Sequence, residues 1–239
     1  MTEFLSESSF FAVALTLAAF CTGAACQRKW KKAILNPILI GAALVMLILW
    51  LLDIPVQQYQ QDCRPLAYLT TPATICLAIG FYEQLQKLKK HLSAILMGVT
   101  GGTLASLLSV WLLSRLFGFS RILTVSLLPK SITSAIGVVL SEQAGGVGAL
   151  TTAIIILTGI FGNVTGPVLS KLFRLKDPIS QGVGFGTAAH VIGTSRAAEI
   201  SPLIGAVSSL SLTLAGLLTT IILSFLFAPL SADTFVRIA

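Results

Sequence analysis

The sequence predicts an all-α protein that crosses a membrane about six times. Composition, segment length and loop charge all support this fold class. The 239 residues are 55% hydrophobic and only 10% charged, with a mean hydropathy of +0.90, whereas a soluble domain carries about a quarter charged residues. We therefore predict a single membrane domain over 1–239 with no soluble module. Its apolar segments, each about long enough to cross a hydrocarbon core of roughly 30 Å, are 9–26, 34–52, 65–82, 91–117, 147–170 and 203–231.

The net charge of +7 does not indicate nucleic-acid binding, because the positive residues lie in short loops between the apolar segments. The first residues, Met1–Glu7, are acidic where a signal peptide is basic, and the basic run 28–32 follows the first segment. This order of charge predicts an external N-terminus. The four cysteines have neither zinc spacing nor a disulfide pattern, so no metal or other cofactor is expected.

Loop charges predict the remaining topology through the positive-inside rule. Lys87, Lys89 and Lys90 place one loop in the cytoplasm, and the basic loop 171–177 is predicted there too. Both loops are cytoplasmic only if 122–145 enters the membrane from outside and returns instead of crossing it. The charges leave open whether 178–200 crosses or re-enters. If it re-enters, both termini are periplasmic.

Two polar segments have the composition of re-entrant or discontinuous helices. The first, in 122–145, contains Pro129-Lys-Ser-Ile-Thr-Ser-Ala-Ile-Gly137. The second contains Gly186-Thr-Ala-Ala-His-Val-Ile-Gly-Thr-Ser-Arg-Ala-Ala-Glu199. Glycine, proline and ionisable groups at membrane depth are tolerated only inside protein or against water, and they mark binding or transport paths.

A weak internal similarity relates the two polar segments. Ser134-Ala-Ile-Gly137 aligns with His190-Val-Ile-Gly193, and a long apolar segment follows each. We predict inverted-repeat units over 122–172 and 178–231, a plan typical of secondary transporters. Chance agreement among small residues is the alternative. The glycine pairs spaced for close helix packing are Gly98/Gly102, Gly162/Gly166 and Gly182/Gly186.

Four motifs in order and at matching spacing make the chain resemble the LrgB/CidB family of bacterial membrane proteins. The motifs are Leu128–Ser134, Leu157–Pro167, Lys176–Pro178 and Gly186–Glu199, and Tyr82 after Thr71-Pro-Ala-Thr74 also fits. The resemblance implies a protein of the bacterial inner membrane, often paired with a small LrgA/CidA-like membrane protein. It implies either holin/antiholin-like control of murein hydrolase export and lysis, or transport of small monocarboxylates, because related proteins include a plastid glycolate/glycerate translocator and members tied to pyruvate movement.

Three ionisable residues are the main candidates for binding a carboxylate. The planar fork of Arg196 matches a carboxylate, with an ion pair to Glu199 as the structural alternative. His190 is a candidate proton carrier because imidazole titrates near neutrality, and a hydrogen-bonded buried histidine is the alternative. A break at Gly193 would free His190 to approach Arg196. Lys130 either attracts the anion or anchors at the headgroups.

Hydroxyls and half-helix ends complete the predicted site. Helices that begin near Thr187, after Gly186, and near Ser131, after Pro129, would direct free N–H groups at an anion. Asn163 is expected to bond to a neighbouring helix more than to ligand. The remaining candidates are Thr71, Thr74, Thr133, Ser134, Thr194 and Ser195.

Two function classes follow, and an enzyme is not expected because no hydrolase, metal or nucleotide motif is present. A secondary transporter of small monocarboxylates is favoured. A simple holin needs only a few amphipathic or apolar spans, and it does not need two broken polar segments. A holin/antiholin-like regulator is the alternative. The expected partners are a small carboxylate anion, the lipid bilayer, a second copy in a homo-oligomer such as a dimer, and an LrgA/CidA-like protein. No nucleic acid is expected.

Overall fold

A computed structural model describes residues 9–30, 37–69, 72, 75–76, 79, 82 and 85–227, and almost all of these are helical. The chain divides into two compact units, Met1–Ala78 and Ile79–Ala239. Each unit is described by itself, and the assignment of 1–239 to one domain stays a prediction.

The first unit is built on a pair of helices with a short helical segment packed on the first. Its helices are α1 Ser9–Trp30, α2 Pro37–Leu51, α3 Val56–Asp62 and α4 Arg64–Tyr68. Gly23 and Gly41 sit at the contact between α1 and α2, where a Cβ on Gly23 would lie 2.6 Å from the carbonyl oxygen of Pro37. The hydroxyls of Thr16 and Tyr59 lie 2.6 Å apart and join α1 to α3.

The second unit contains three long helices and two places where the chain folds back. Its helices are α5 Leu85–Lys90, α6 Leu92–Leu116, α7 Arg121–Leu127, α8 Ser134–Gln143, α9 Gly148–Leu172, α10 Pro178–Ile200 and α11 Pro202–Phe227.

Four of the described helices, α1, α6, α9 and α11, are long and apolar enough to cross a membrane. They coincide with four predicted spans, because uninterrupted apolar runs of this length can satisfy their backbone in lipid only as helices. The predicted span 34–52 forms α2, which has only 15 residues. Eight of the 18 residues of the predicted span 65–82 lie outside the described residues, so a total of six spans stays a prediction.

The predicted dip at 122–145 forms two short helices, α7 and α8, of 7 and 10 residues. The chain folds back between them. A Cβ on Gly137 in α8 would lie 3.4 Å from the carbonyl oxygen of Pro129. The backbone N–H of Val147, after α8, donates to the hydroxyl of Ser126, near the end of α7, at 2.9 Å. We call 121–143 the first hairpin; its turn is 128–133.

The helix α10 is broken at His190, whose φ of 42° and ψ of −137° are not helical. The two halves fold back on each other, because Phe185 and Ala197 are buried in one cluster although a straight helix would separate them by about 18 Å. We call 178–200 the second hairpin. The break therefore lies at His190 itself, three residues before Gly193, where a break would have freed His190 to approach Arg196. Gly193 instead allows close approach, since a Cβ there would lie 2.9 Å from the carbonyl oxygen of Phe185.

The helix α6 runs parallel to the first half of α10. A Cβ on Gly98 would lie 3.0 Å from Val183, and one on Gly102 would lie 3.1 Å from the hydroxyl of Thr187. Because Gly98 faces Val183 and Gly102 faces Thr187, residue numbers increase in the same direction along both helices. The prediction that this glycine pair serves close packing is confirmed.

The helices α9 and α11 run in opposite directions along the second hairpin. Gly162 faces Ala189 and Gly166 faces Phe185, so α9 is antiparallel to the first half of α10. Gly182 and Gly186 face Val207 and Ser211 respectively, so α11 is parallel to it. The order of a hairpin followed by a long helix thus occurs twice, and the two long helices point opposite ways.

Candidate functional site

A small cavity, lined by both hydroxyl-bearing and apolar residues, lies where the turn of the first hairpin meets the second hairpin. Its volume is about 10 Å³, which is roughly the space of one water molecule. The hydroxyl residues that line it come from α6, the turn 128–133, α10 and α11. They are Thr103, Ser106, Ser131, Thr187 and Thr219.

The ammonium group of Lys130 stands beside this cavity, and its hydrogen-bond partners among the described residues are two hydroxyls. Its Nζ donates to Ser131 Oγ at 3.1 Å and to Ser106 Oγ at 3.3 Å, and these two hydroxyls lie 3.0 Å apart. Among the described residues, the one ion pair joins Arg196 to Glu199. No acidic side chain of the described residues therefore neutralises Lys130. A partly buried cation that lacks a carboxylate partner is suited to attract an anion.

The hydroxyl of Thr103 is the unpaired polar group of the cavity wall. Thr103 is 3% exposed, and its Oγ1 has no hydrogen-bond partner in the described part of the chain. The Thr187 hydroxyl donates to the carbonyl oxygen of Val183 at 2.7 Å and keeps its lone pairs. A buried hydroxyl without a partner costs about 1–3 kcal/mol, so a water or an anion in the cavity would relieve that cost.

Sequence reasoning included Lys130, Ser131 and Thr187 but missed Thr103, Ser106 and Thr219. The missed residues lie on α6 and α11, which have the composition of ordinary membrane spans. The available signal was the spacing of Thr103 and Ser106, which puts two hydroxyls on one face of an apolar helix.

His190 is buried against α9 and does not line the cavity. It is 3% exposed, and its Nε2 lies 2.8 Å from the carbonyl oxygen of Ile155. A carbonyl oxygen only accepts, so the proton is assigned to Nε2. The absence of a side chain at Gly159 makes room for the ring. This contact matches the alternative of a hydrogen-bonded buried histidine, and proton coupling through His190 stays a prediction.

Arg196 lies apart from the cavity, near the end of the second hairpin. Its Nη1 donates to Glu199 Oε2 at 2.6 Å, and the two side chains are 36% and 65% exposed. It lines an open groove with Lys171, Arg174 and Lys176. The structure therefore shows the ion pair with Glu199 that was the structural alternative for Arg196. The role of Arg196 as the carboxylate ligand stays a prediction.

Most other predicted hydroxyls are engaged within the protein. Thr194 donates to the carbonyl oxygen of His190 at 2.9 Å and lies 2.8 Å from Ser208 Oγ. The carbonyl oxygen of Ile192 accepts from Ser195 Oγ at 2.8 Å and from Asn163 Nδ2 at 3.1 Å. The expected bond from Asn163 to a neighbouring helix is thus present.

The predicted helix starts near Ser131 and Thr187 were wrong. The helix α8 begins at Ser134, and Thr133 precedes it without a side-chain capping bond. Thr187 lies inside the first half of α10, because Gly186 packs against the backbone of α11 at Ser208 instead of breaking the helix. Thr71 and Thr74 lie outside the described residues.

Comparisons with known proteins agree on one family. The model of the LrgB-like family matches residues 16–228. A holin-like protein CidB of Staphylococcus epidermidis is 29% identical over 226 residues, which cover 95% of this chain and 98% of that protein. An antiholin-like protein LrgB of Bacillus mycoides is 28% identical, covering 92% and 96%. The protein YwbG of Bacillus subtilis is 32% identical, covering 90% and 95%. No solved structure matches the chain.

Proposed function

Because the chain belongs to the LrgB-like family, we propose that it controls the permeability of a bacterial inner membrane as a holin-like or antiholin-like protein. Its relatives carry both names, and the similarity extends over nearly the full length of each. Control of this kind would govern the release of murein hydrolases and thus lysis. The structural observation that carries the proposal is the meeting of two helical hairpins at a buried cavity that five hydroxyl residues line in part.

In the membrane, α6, α9 and α11 would cross the bilayer and the two hairpins would enter it from opposite faces. Non-helical backbone such as the turn 128–133 is tolerated at membrane depth only when it is buried in protein. The basic loop 171–177 would face the cytoplasm by the positive-inside rule. The two hairpin-and-helix units would then be related by inverted symmetry, with their turns near the midplane.

A closed gate follows from the size of the cavity. A volume of about 10 Å³ admits about one water molecule, so no larger solute passes between the hairpins in this conformation. Permeation would require the hairpin turns to separate. The close contacts at Gly182 and Gly186 hold the first half of α10 on α11, so the first hairpin is the better candidate for the moving part.

A second candidate function, secondary transport of small monocarboxylates such as pyruvate, glycolate or glycerate, is favoured by the chemistry around Lys130. An ammonium group, several hydroxyls and the unpaired Thr103 Oγ1 form a set of donors for one carboxylate. Neutral hydroxyls with a single cation bind an anion without holding it too tightly to release. In this version the hairpins would open alternately to the two sides of the membrane.

Flux in reconstituted liposomes separates the two functions. Purified protein would be reconstituted with and without an LrgA/CidA-like partner and with and without a pH gradient. Release of a trapped fluorescent dye would measure a large lesion, and uptake of radiolabelled pyruvate or glycolate would measure selective transport. Dye release by the protein supports a holin-like function, and suppression of dye release caused by the partner supports an antiholin-like function. Saturable carboxylate uptake without dye release supports the transporter. If the protein changes neither dye release, alone or with the partner, nor carboxylate uptake, both proposals fail.

A further inference from the structure

The geometry points to a separate binding site for the phosphate headgroup of an anionic phospholipid, in an open groove beside the second hairpin. The groove has a volume of about 520 Å³. Its lining includes Lys171, Arg174, Lys176, Gln181, Arg196 and Ile200. We call it the basic groove. The inference stands independently of the proposed function, because none of these residues lines the cavity beside Lys130.

Three cations of the basic groove lack an acidic partner in the described part of the chain. The two nearby carboxylates are already engaged. Asp177 accepts from the backbone N–H and the hydroxyl of Ser180, both at 2.8 Å, and Glu199 pairs with Arg196. The charges of Lys171, Arg174 and Lys176 therefore add to a positive potential in a concave site. Such a site favours an anion whose several oxygen atoms can contact more than one cation at once.

The basic groove is held in shape by hydrogen bonds across its loop. The side-chain amide of Gln181 donates to the carbonyl oxygen of Leu175 at 2.7 Å. The backbone N–H of Leu175 donates to Ser170 at 2.8 Å, and Arg174 adopts a positive φ of 53°. A site that is ordered before binding loses less conformational entropy when the ligand arrives. The positive φ of Arg174, which a non-glycine residue seldom adopts, is maintained by these bonds.

Exposed apolar residues beside the basic groove favour a lipid over free phosphate or an acidic peptide. Leu172 and Phe173 are 71% and 69% exposed, and Ile200 is 43% exposed. Leu172 and Phe173 stand at the end of α9, a helix long enough to span a bilayer, and Ile200, at the end of α10, lines the groove itself. A headgroup bound to the cations would thus have its acyl chains against apolar side chains, and basic pockets in this position are suited to anionic lipids.

The test compares two double variants that each remove two positive charges. K171Q/K176Q removes charge inside the basic groove, and K89Q/K90Q removes it from exposed positions on α5 outside the groove. Full-length protein in detergent micelles would be titrated with phosphatidylglycerol, phosphatidylcholine or inorganic phosphate, with the thermal unfolding midpoint as the readout. We expect phosphatidylglycerol alone to raise the midpoint. K171Q/K176Q should weaken its apparent affinity about twenty-five-fold, because each basic side chain near an anionic lipid contributes on the order of a fivefold factor.

Three results would overturn the inference. The first is an equal loss of affinity in both double variants, which would indicate general surface charge. The second is an equal response to phosphatidylcholine. The third is an equal response to inorganic phosphate, which would make the ligand a free anion. If K171Q/K176Q is not recovered in folded form, Arg174→Gln replaces it, with an expected loss of about fivefold. Unchanged affinity in that variant would also overturn the lipid site.

Discussion

The imidazole Nε2 of His190 lies 2.8 Å from the carbonyl oxygen of Ile155, and this contact fixes the turn of the second hairpin on α9. His190 carries a positive φ of 42°, a conformation that usually requires glycine. The hydrogen bond and the burial of the ring compensate for that backbone strain. Gly159 is the complementary element, because only a residue without a side chain leaves space for the ring.

Replacing Gly159 with alanine should destabilise the protein through the His190 ring. A Cβ at 159 would lie 2.5 Å from His190 Cε1 and 2.6 Å from Nε2, and overpacking of this kind costs about 1–3 kcal/mol. Gly101→Ala is the matched control, because nothing lies within 4 Å of its Cβ position and alanine favours a helix by up to about 1 kcal/mol. Thermal unfolding in detergent measures both. A Gly159→Ala protein that unfolds at the wild-type temperature would contradict the contact.

The unpaired hydroxyl of Thr103 should matter for flux but not for folding. Thr103→Val removes a buried Oγ1 that lacks a partner among the described residues, so stability should hold or rise by about 1 kcal/mol, while carboxylate flux falls. Thr151→Val is the control, because its hydroxyl bonds to Ser141 at 2.7 Å and its loss should cost about 1 kcal/mol. Unfolding and liposome flux would be measured on each variant. Equal destabilisation of the two would mean that Thr103 has a structural partner.

Lys130 and Arg196 are rival carboxylate ligands, and parallel variants distinguish them. If Lys130 binds the carboxylate, Lys130→Gln should lower uptake at least about tenfold, since a charged hydrogen bond contributes roughly 1.5–3 kcal/mol. Arg196→Gln should then have a small effect, because the Arg196 side chain is partly exposed and paired with Glu199. Lys90→Gln, an exposed cation outside the cavity, controls for net charge. Loss of uptake in Arg196→Gln alone would move the ligand to the end of the second hairpin.

The membrane topology can be read by labelling single cysteines. After replacement of Cys21, Cys26, Cys63 and Cys76, a cysteine at 174 should react with an impermeant reagent only from the cytoplasm, by the positive-inside rule. A cysteine at 119, just after the C-terminal end of α6, should react only from the periplasm. Labelling of position 174 from the periplasm would refute the topology in which both hairpins re-enter.

The cap of the second hairpin should respond to acid. The backbone N–H and the hydroxyl of Ser180 donate to Asp177, and these bonds hold the pKa of its carboxyl below the usual value of 3.8. A lowered pKa contributes stability above the unfolded pKa, and this is lost as pH falls through the folded pKa. The stability advantage of wild type over Asp177→Asn should therefore shrink below about pH 4. Unfolding measured across this range tests it, and a constant difference would contradict the cap.

The sequence predicted the long helices well and the breaks less well. The predicted span 147–170 became Gly148–Leu172, because the length of an apolar run is a local property. Pro129 correctly marked the turn of the first hairpin. The composition of Gly186–Glu199 indicated a second break but not its position. It lies at His190, because the ring is anchored by an atom of α9 that is 35 positions away.

By itself, the sequence determined that this chain is a multi-pass helical membrane protein with two polar interruptions. The reason is that apolar length and loop charge act locally. Only the tertiary structure decided which hydroxyls line the cavity. Thr103, Ser131, Thr187 and Thr219 come from four separate segments. Helices in lipid pair through small residues and close packing instead of through a polar–apolar pattern, so the facing sides of α6, α10 and α11 become apparent only once the helices have packed.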